Sequence, residues 1–254
     1  MWSVAVIARN TFREAVRDKI LYNLLFVAAL LIGMSVLLGD LTVAEQTKVV
    51  TDMGLAAINV VGVIIAIFVG IGLVNKEIER RTVYTIMARP ISRTQFILGK
   101  YLGLAMTLLV NVLTMTGVFV LTLWLIQAPF HLAFLQAIQL IFLELLVVTA
   151  LALFFSTFSS TTLSATMTLG VYVIGHLTAD LKGIAQKGQS EAVKSIMTGM
   201  YYLFPNLEML NVKGQAAAGI PITFFYQVTA SAYGLLYACL FIIAACVVFQ
   251  RRDF

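Results

Sequence analysis

Charge is what this chain has least of. Only 11% of its 254 residues are Asp, Glu, Lys or Arg and 61% are hydrophobic, against about 25% and about 45–50% in a soluble domain. That excludes a soluble globular protein and a disordered chain. Cysteine is almost absent too: Cys239 and Cys246 fall seven apart in one apolar run, about 10 Å along a helix, too far for a disulfide. A disulfide scaffold is excluded, and the pair has no metal spacing. The chain also lacks a phosphate-binding Gly-x-x-x-x-Gly-Lys-Ser/Thr loop, a His-Glu-x-x-His zinc motif and a Gly-x-Ser-x-Gly nucleophile elbow. Neither of its two histidines has the neighbours a hydrolase needs. No catalytic residue, metal ligand or directly bound cofactor is expected, and any energy used must come from another polypeptide.

What the chain does have is long apolar runs. Six of them, at 21–39, 55–75, 101–126, 134–155, 162–179 and 230–249, are each of a length to cross a hydrocarbon core of about 30 Å as a helix. The first begins after a polar-faced segment and no small-residue cleavage site follows it, so a signal peptide is not expected. The expected fold is an all-α membrane protein, a single transmembrane domain over 1–254.

Lys and Arg assign the sides. Twelve lie in the segment before the first span, in the loop 76–100 and in the tail, against five in the other connections. Basic short loops stay cytoplasmic, which places both termini inside. The net charge of +5 is thus topological, and nucleic acid is set aside as a partner.

Residues 1–20 form a separate element. Val4, Ile7, Ala8, Thr11, Phe12, Ala15 and Val16 recur at helical spacing while Arg9, Arg13 and Arg17 hold the opposite face. The pattern fits a helix in the inner membrane interface with Trp2 as anchor; a cytoplasmic extension of the first span is the alternative.

Four features could carry function. The loop 76–100 has an apolar stripe of Ile78, Val83, Ile86 and Met87 on a charged helix, a stop at Pro90, and a restart at Ser92 with Gln95 placed for a capping box. A short rigid helix held at the membrane surface suits docking to a soluble partner, whereas a loop that only fixes topology needs neither stripe nor punctuation. Second, Gly62, Ala66 and Gly70, and then Gly99 and Gly103, are small residues four apart that let helices approach closely, within or between subunits.

The third feature is a polar stripe, Thr161, Ser164, Thr168, Tyr172 and His176, which is expected to pair with Thr107, Asn111 and Thr114 of the third span. It reads either as a pathway or interface lining, with Asn111, Ser164, Thr168, Tyr172 and His176 as its candidates, or as helix glue. His176 is expected near the outer end. The fourth is Glu144, the one acid inside any span, which must be protonated, paired or facing water. It is either functional or a structural hydrogen-bonding group. Gln136 and Gln139 suggest that its helix has a partly polar face. An intramembrane enzyme would bring Glu144 and His176 together at one cavity, and their expected depths differ.

Taken together, the amphipathic start, six spans and above all the loop ERRTVYTIMARPISRTQFILGKYLG (79–103) resemble the ABC-2 type permeases of ATP-binding cassette exporters. FPNLEMLN (204–211) adds weaker support. The resemblance implies an elbow helix at 1–20 and a coupling helix at about 77–88 that enters a cleft in an ATPase subunit. Glu77, Glu79, Arg80, Arg81, Thr82, Tyr84, Thr85, Met87, Arg89 and Pro90 would make that contact. It also implies a minor cytoplasmic contact at 156–161, short outer helices within 181–229, and a bacterial inner-membrane location. Two copies would pair, each with one ATPase subunit that binds ATP and Mg, to export an unidentified substrate. The family also includes members thought to pass mechanical work to an extracytoplasmic partner. A scaffold or channel is the remaining alternative.

Overall fold

A computed structural model describes residues 2–41, 46–79, 92–187 and 204–251, with 195, 199 and 201 singly. Among the described residues the chain is all helical and has no strand. Helix α1 spans Trp2–Val16, α2 Lys19–Asp40, α3 Gln46–Glu79, α4 Arg93–Leu125, α5 Leu132–Ser156 and α6 Thr161–Lys187. A 3-10 turn at Leu207–Leu210, a short α7 at Lys213–Ala217 and α8 at Phe224–Arg251 complete the order.

Local chemistry sets several boundaries. The Asp18 side chain accepts from the Ile20 N–H and starts α2. Ser92 accepts from the Gln95 N–H while the Gln95 side chain accepts from the Ser92 N–H, which is the capping box read from the sequence. Gln127, with φ of 53°, turns the chain out of α4.

Among the described residues five helices are long and apolar enough to cross a membrane: α2, α3 from Gln46 to Gly72, α4, α5 and α8. Helix α6 has 27 residues, but Thr161, Thr162, Ser164, Thr166, Thr168, Tyr172, His176 and Thr178 dilute its apolar content. The centre of the bundle is α3 and α5. In each, 78% of the most apolar stretch is buried, against 22% in α2 and 33% in α8. The outer helices instead expose Phe26, Leu37, Leu113, Leu236 and Ile243, a surface suited to hydrocarbon.

Small residues fix the tightest crossings. A Cβ built on Gly62 would fall 2.6 Å from Leu145 Cδ1, so this glycine lets α3 press on α5. Gly99 and Gly103 serve α1: a Cβ would meet Ile7 Cβ at 2.7 Å and the Ala8 carbonyl oxygen at 2.6 Å respectively. The close approaches at Gly62, Gly99 and Gly103 therefore join helices of one chain. Helix α1 buries Ala8, Thr11 and Ala15 against α4 and leaves Arg9, Arg13 and Arg17 exposed, the two-faced pattern read from its spacing.

The segment 204–217 folds back onto the bundle. Leu207, Leu210, Val212 and Ala216 are buried, and Gly175 of α6 makes room for Leu207 and the Pro205 carbonyl. Backbone groups that leave regular helix must find partners inside an apolar bundle. Tyr226 Oη donates to the Met209 carbonyl at 2.8 Å, Tyr233 Oη accepts from the Asn206 N–H at 2.8 Å, and Thr178 Oγ1 donates to Asn206 Oδ1 at 2.9 Å.

Candidate functional site

Three helices bring polar side chains to one point in the bundle. Glu144 on α5 is fully buried. Asn59 of α3, also buried, donates from Nδ2 to Glu144 Oε2 at 2.8 Å. Tyr172 of α6 donates from Oη to Asn59 Oδ1 at 2.9 Å, so the Asn59 amide is oriented by one hydrogen bond at each end. His176, one turn after Tyr172, places Nε2 3.3 Å from Glu144 Oε1, and its ring lies 4.6 Å from the Tyr172 ring. That contact is off the line of a hydrogen bond, so Glu144 Oε1 and His176 Nε2 face each other with no other partner among the described residues.

This geometry corrects the expectation that Glu144 and His176 lie at different depths. Helix α6 continues past the expected end of its span at 179 to Lys187, so His176 is not near the end of its helix. Helices α5 and α6 form a hairpin around the turn at 157–160. Glu144 is 12 residues before Ser156 and His176 is 15 after Thr161, about 18 and about 22 Å by helical rise. The two sit at nearly one level.

The partner expected for the polar stripe is also different. Ser164 and Thr168 are buried as a protein-facing stripe requires, but α6 packs chiefly on α3, α5 and the 3-10 turn rather than on α4. On α4, Thr107 donates to the Gly103 carbonyl at 2.9 Å, Asn111 to the Thr107 carbonyl at 2.7 Å and Thr114 to the Val110 carbonyl at 2.8 Å. Each bonds back to its own helix, the alternative open to Ser, Thr and Asn in a helix. Thr168 does the same to Ser164, and Ser164 pairs with Ser159 at 2.6 Å across the turn before α6. Of the stripe, Tyr172 and His176 alone reach the acid.

Gln136 and Gln139 do not share the Glu144 face. Gln227 of α8 donates to Gln139 Oε1 at 2.8 Å and to the Gln136 carbonyl at 3.3 Å, forming a separate seam between α5 and α8. Asn59 was not singled out in the sequence. A lone Asn in an apolar span gives no periodic signal, and its depth relative to the one buried acid was the clue available.

A second polar junction lies where the loop 76–100 re-enters the bundle. Arg93 donates from one guanidinium nitrogen to the Phe249 and Gln250 carbonyls at 3.2 and 2.9 Å. Both carbonyls lie in the last turn of α8, at the negative end of its dipole. Gln250 donates back to Thr94 Oγ1 at 2.9 Å, and Phe96 stacks on Phe249 with centroids 5.8 Å apart. Ser3 of α1 donates to Gln95 Oε1 at 3.1 Å. The first turn of α4 is thereby tied to both ends of the chain. Of the residues expected to dock a partner, Glu77 and Glu79 fall in the final turn of α3, where only the helix path is described. Arg80, Arg81, Thr82, Tyr84, Thr85, Met87, Arg89 and Pro90 lie outside the described residues.

No group of three or more metal-ligating side chains occurs among the described residues. No curated protein matches the chain. A family model described as ABC-2 family transporter protein matches residues 5–254, nearly the whole length and every helix above. The chain belongs to the ABC-2 family of transporter proteins and is a transmembrane permease of the ABC-transporter type.

Proposed function

We propose that this chain is the membrane subunit through which a separate ATP-binding cassette ATPase drives export of a substrate. The family match over residues 5–254 carries the reading. Residues 77–88 act as the coupling helix, with Glu77, Glu79, Arg80, Arg81, Thr82, Tyr84, Thr85, Met87, Arg89 and Pro90 at the ATPase surface. ATP and Mg are held by that partner, and this chain contributes no catalytic site.

In this reading α6 is the sixth span. Its buried hydroxyls bond within α6, to Ser159 of the preceding turn and, through Tyr172, to Asn59 of α3, which lowers the cost of a polar crossing. Both termini are cytoplasmic in the inner membrane, α1 is the elbow helix, and two copies pair. The Arg93 junction supports a route for force, since a push on residues 77–92 arrives at a point fastened to α1 and to the end of α8.

A second reading, transmission of work to an extracytoplasmic partner without transport, draws on the outer segment 204–217, which is buried against α3, α5 and α6 and so moves with the bundle. Gentle detergent extraction is expected to bring an ATPase subunit with the permease, and Glu79→Arg or Arg81→Glu to release it. Extraction of the chain alone with full transport activity would refute the proposal. Stimulation of the complex's ATPase across a substrate panel then separates the two readings.

A further inference from the structure

We propose that Glu144 and His176 form a buried proton-binding site that holds one proton between α5 and α6. The inference starts from what each atom can do. His176 Nδ1 lies 3.2 Å from the Tyr172 carbonyl oxygen, and a carbonyl only accepts, so that nitrogen carries a hydrogen. A neutral ring with its hydrogen on Nδ1 has a lone pair on Nε2. Nε2 faces Glu144 Oε1 at 3.3 Å, and a carboxylate oxygen is also an acceptor. Two lone pairs cannot be held at that distance in an apolar bundle without a proton between them.

Either the ring is an imidazolium beside a carboxylate, or the acid is protonated beside a neutral ring. The proton count and the zero net charge are the same. The remaining bonds fit both states: Glu144 Oε2 accepts from Asn59, whose Oδ1 accepts from Tyr172. Release of the shared proton to a base in solvent would leave a buried carboxylate against an imidazole lone pair, and the junction of α5 with α6 would loosen.

Groups from every packed element face the pair. From α6 the ionisable neighbours of Glu144 are Tyr172 and His176; from α3 the neighbour is the neutral Asn59 amide; from the segment 204–217 they are the cation Lys213 and the acid Glu208. Helix α8 meets α5 through Gln227 and Ser231, and α4 through Tyr101, which donates to the Leu146 carbonyl at 3.4 Å. His176 is 21% exposed while Glu144 is wholly covered, so exchange of the proton runs through the imidazole. The site does not depend on which motor drives the permease.

Linkage gives the sign of the effect. A proton held between the two groups in the folded chain and given up on unfolding leaves the unfolded chain with one proton fewer. Stability therefore falls as pH rises, with up to about a tenfold loss in the folded-to-unfolded ratio per pH unit until the folded pair releases its proton.

Two measurements on the full chain in lipid nanodiscs test this. The first is the apparent melting temperature from about pH 6.5 to about pH 9. Wild type is expected to fall with pH relative to Glu144→Gln, whose amide donates to Nε2 and does not titrate. Parallel profiles overturn the proposal, since a purely structural hydrogen bond would lower stability equally at every pH. The second needs no change at the pair. In 15N-histidine-labelled His131→Asn protein, His176 gives the one imidazole signal, and solid-state NMR at neutral pH is expected to show a protonated Nδ1, with Nε2 protonated or accepting a strong hydrogen bond. An unprotonated Nδ1 overturns it.

Discussion

Gly103→Ala and Gly70→Ala make the same chemical change at two glycines of the same kind of small-residue motif, and the structure gives them opposite outcomes. At Gly103 the new methyl would sit 2.6 Å from the Ala8 carbonyl oxygen and 2.6 Å from Thr11 Cβ. Neither neighbour is the end of a flexible chain, so α1 as a whole must retreat by roughly 1 Å to reach ordinary contact. Overpacking of this kind costs about 1–3 kcal/mol. The gain in helix propensity from Gly to Ala offsets about 1 kcal/mol, leaving a net loss of up to about 2 kcal/mol and a melting temperature lower by up to about 4–8 °C. At Gly70 the nearest atom is Ala152 Cβ at 3.7 Å, an ordinary contact, so the propensity gain stands and stability is unchanged or raised by up to about 1 kcal/mol. Thermal unfolding of both variants in one detergent reads the difference. Equal stability of the two proteins would refute the claim that Gly103 exists to seat α1.

Other outcomes follow from the polar contacts. Asn59→Leu removes the donor to Glu144 Oε2 and is expected to cost about 1–3 kcal/mol, measured as a lower melting temperature. Tyr172→Phe, which removes one neutral hydrogen bond to Asn59, should cost about 1 kcal/mol in the same assay. Arg93→Ala removes its hydrogen bonds to the Phe249 and Gln250 carbonyls, and faster backbone hydrogen exchange confined to the end of α8 and the first turn of α4 is expected. Ser92→Ala breaks the capping box and should destabilise α4 by about 1 kcal/mol, seen as weaker protection of its first turn.

Much of the architecture could be read from spacing because the causes are local. The Ser92 and Gln95 cap, the two faces of α1 and the close-approach role of Gly62, Gly99 and Gly103 all follow from residues within a turn or two of each other. What each face meets is a tertiary fact. Gly99 and Gly103 announce a close neighbour, and only the fold says that it is α1. The Glu144 cluster was half legible: the acid and the stripe were singled out, but their meeting depends on the register of the α5–α6 hairpin and on the length of α6 beyond the apolar run. Apolarity locates the hydrocarbon crossing, whereas helices continue past it, so judging depth from where an apolar run stops misplaced His176. Thr107, Asn111 and Thr114 misled because hydroxyl and amide groups on a helix can bond to the turn before them and need no partner helix.

The central claim is that residues 77–88 lie in the cytoplasm against a separate ATPase. Thr85→Cys in a chain with Cys239→Ser and Cys246→Ala offers a single thiol there. In intact cells that thiol is predicted to resist a membrane-impermeant maleimide, and in inside-out vesicles to crosslink to an ATPase subunit. Labelling from outside intact cells would contradict the account.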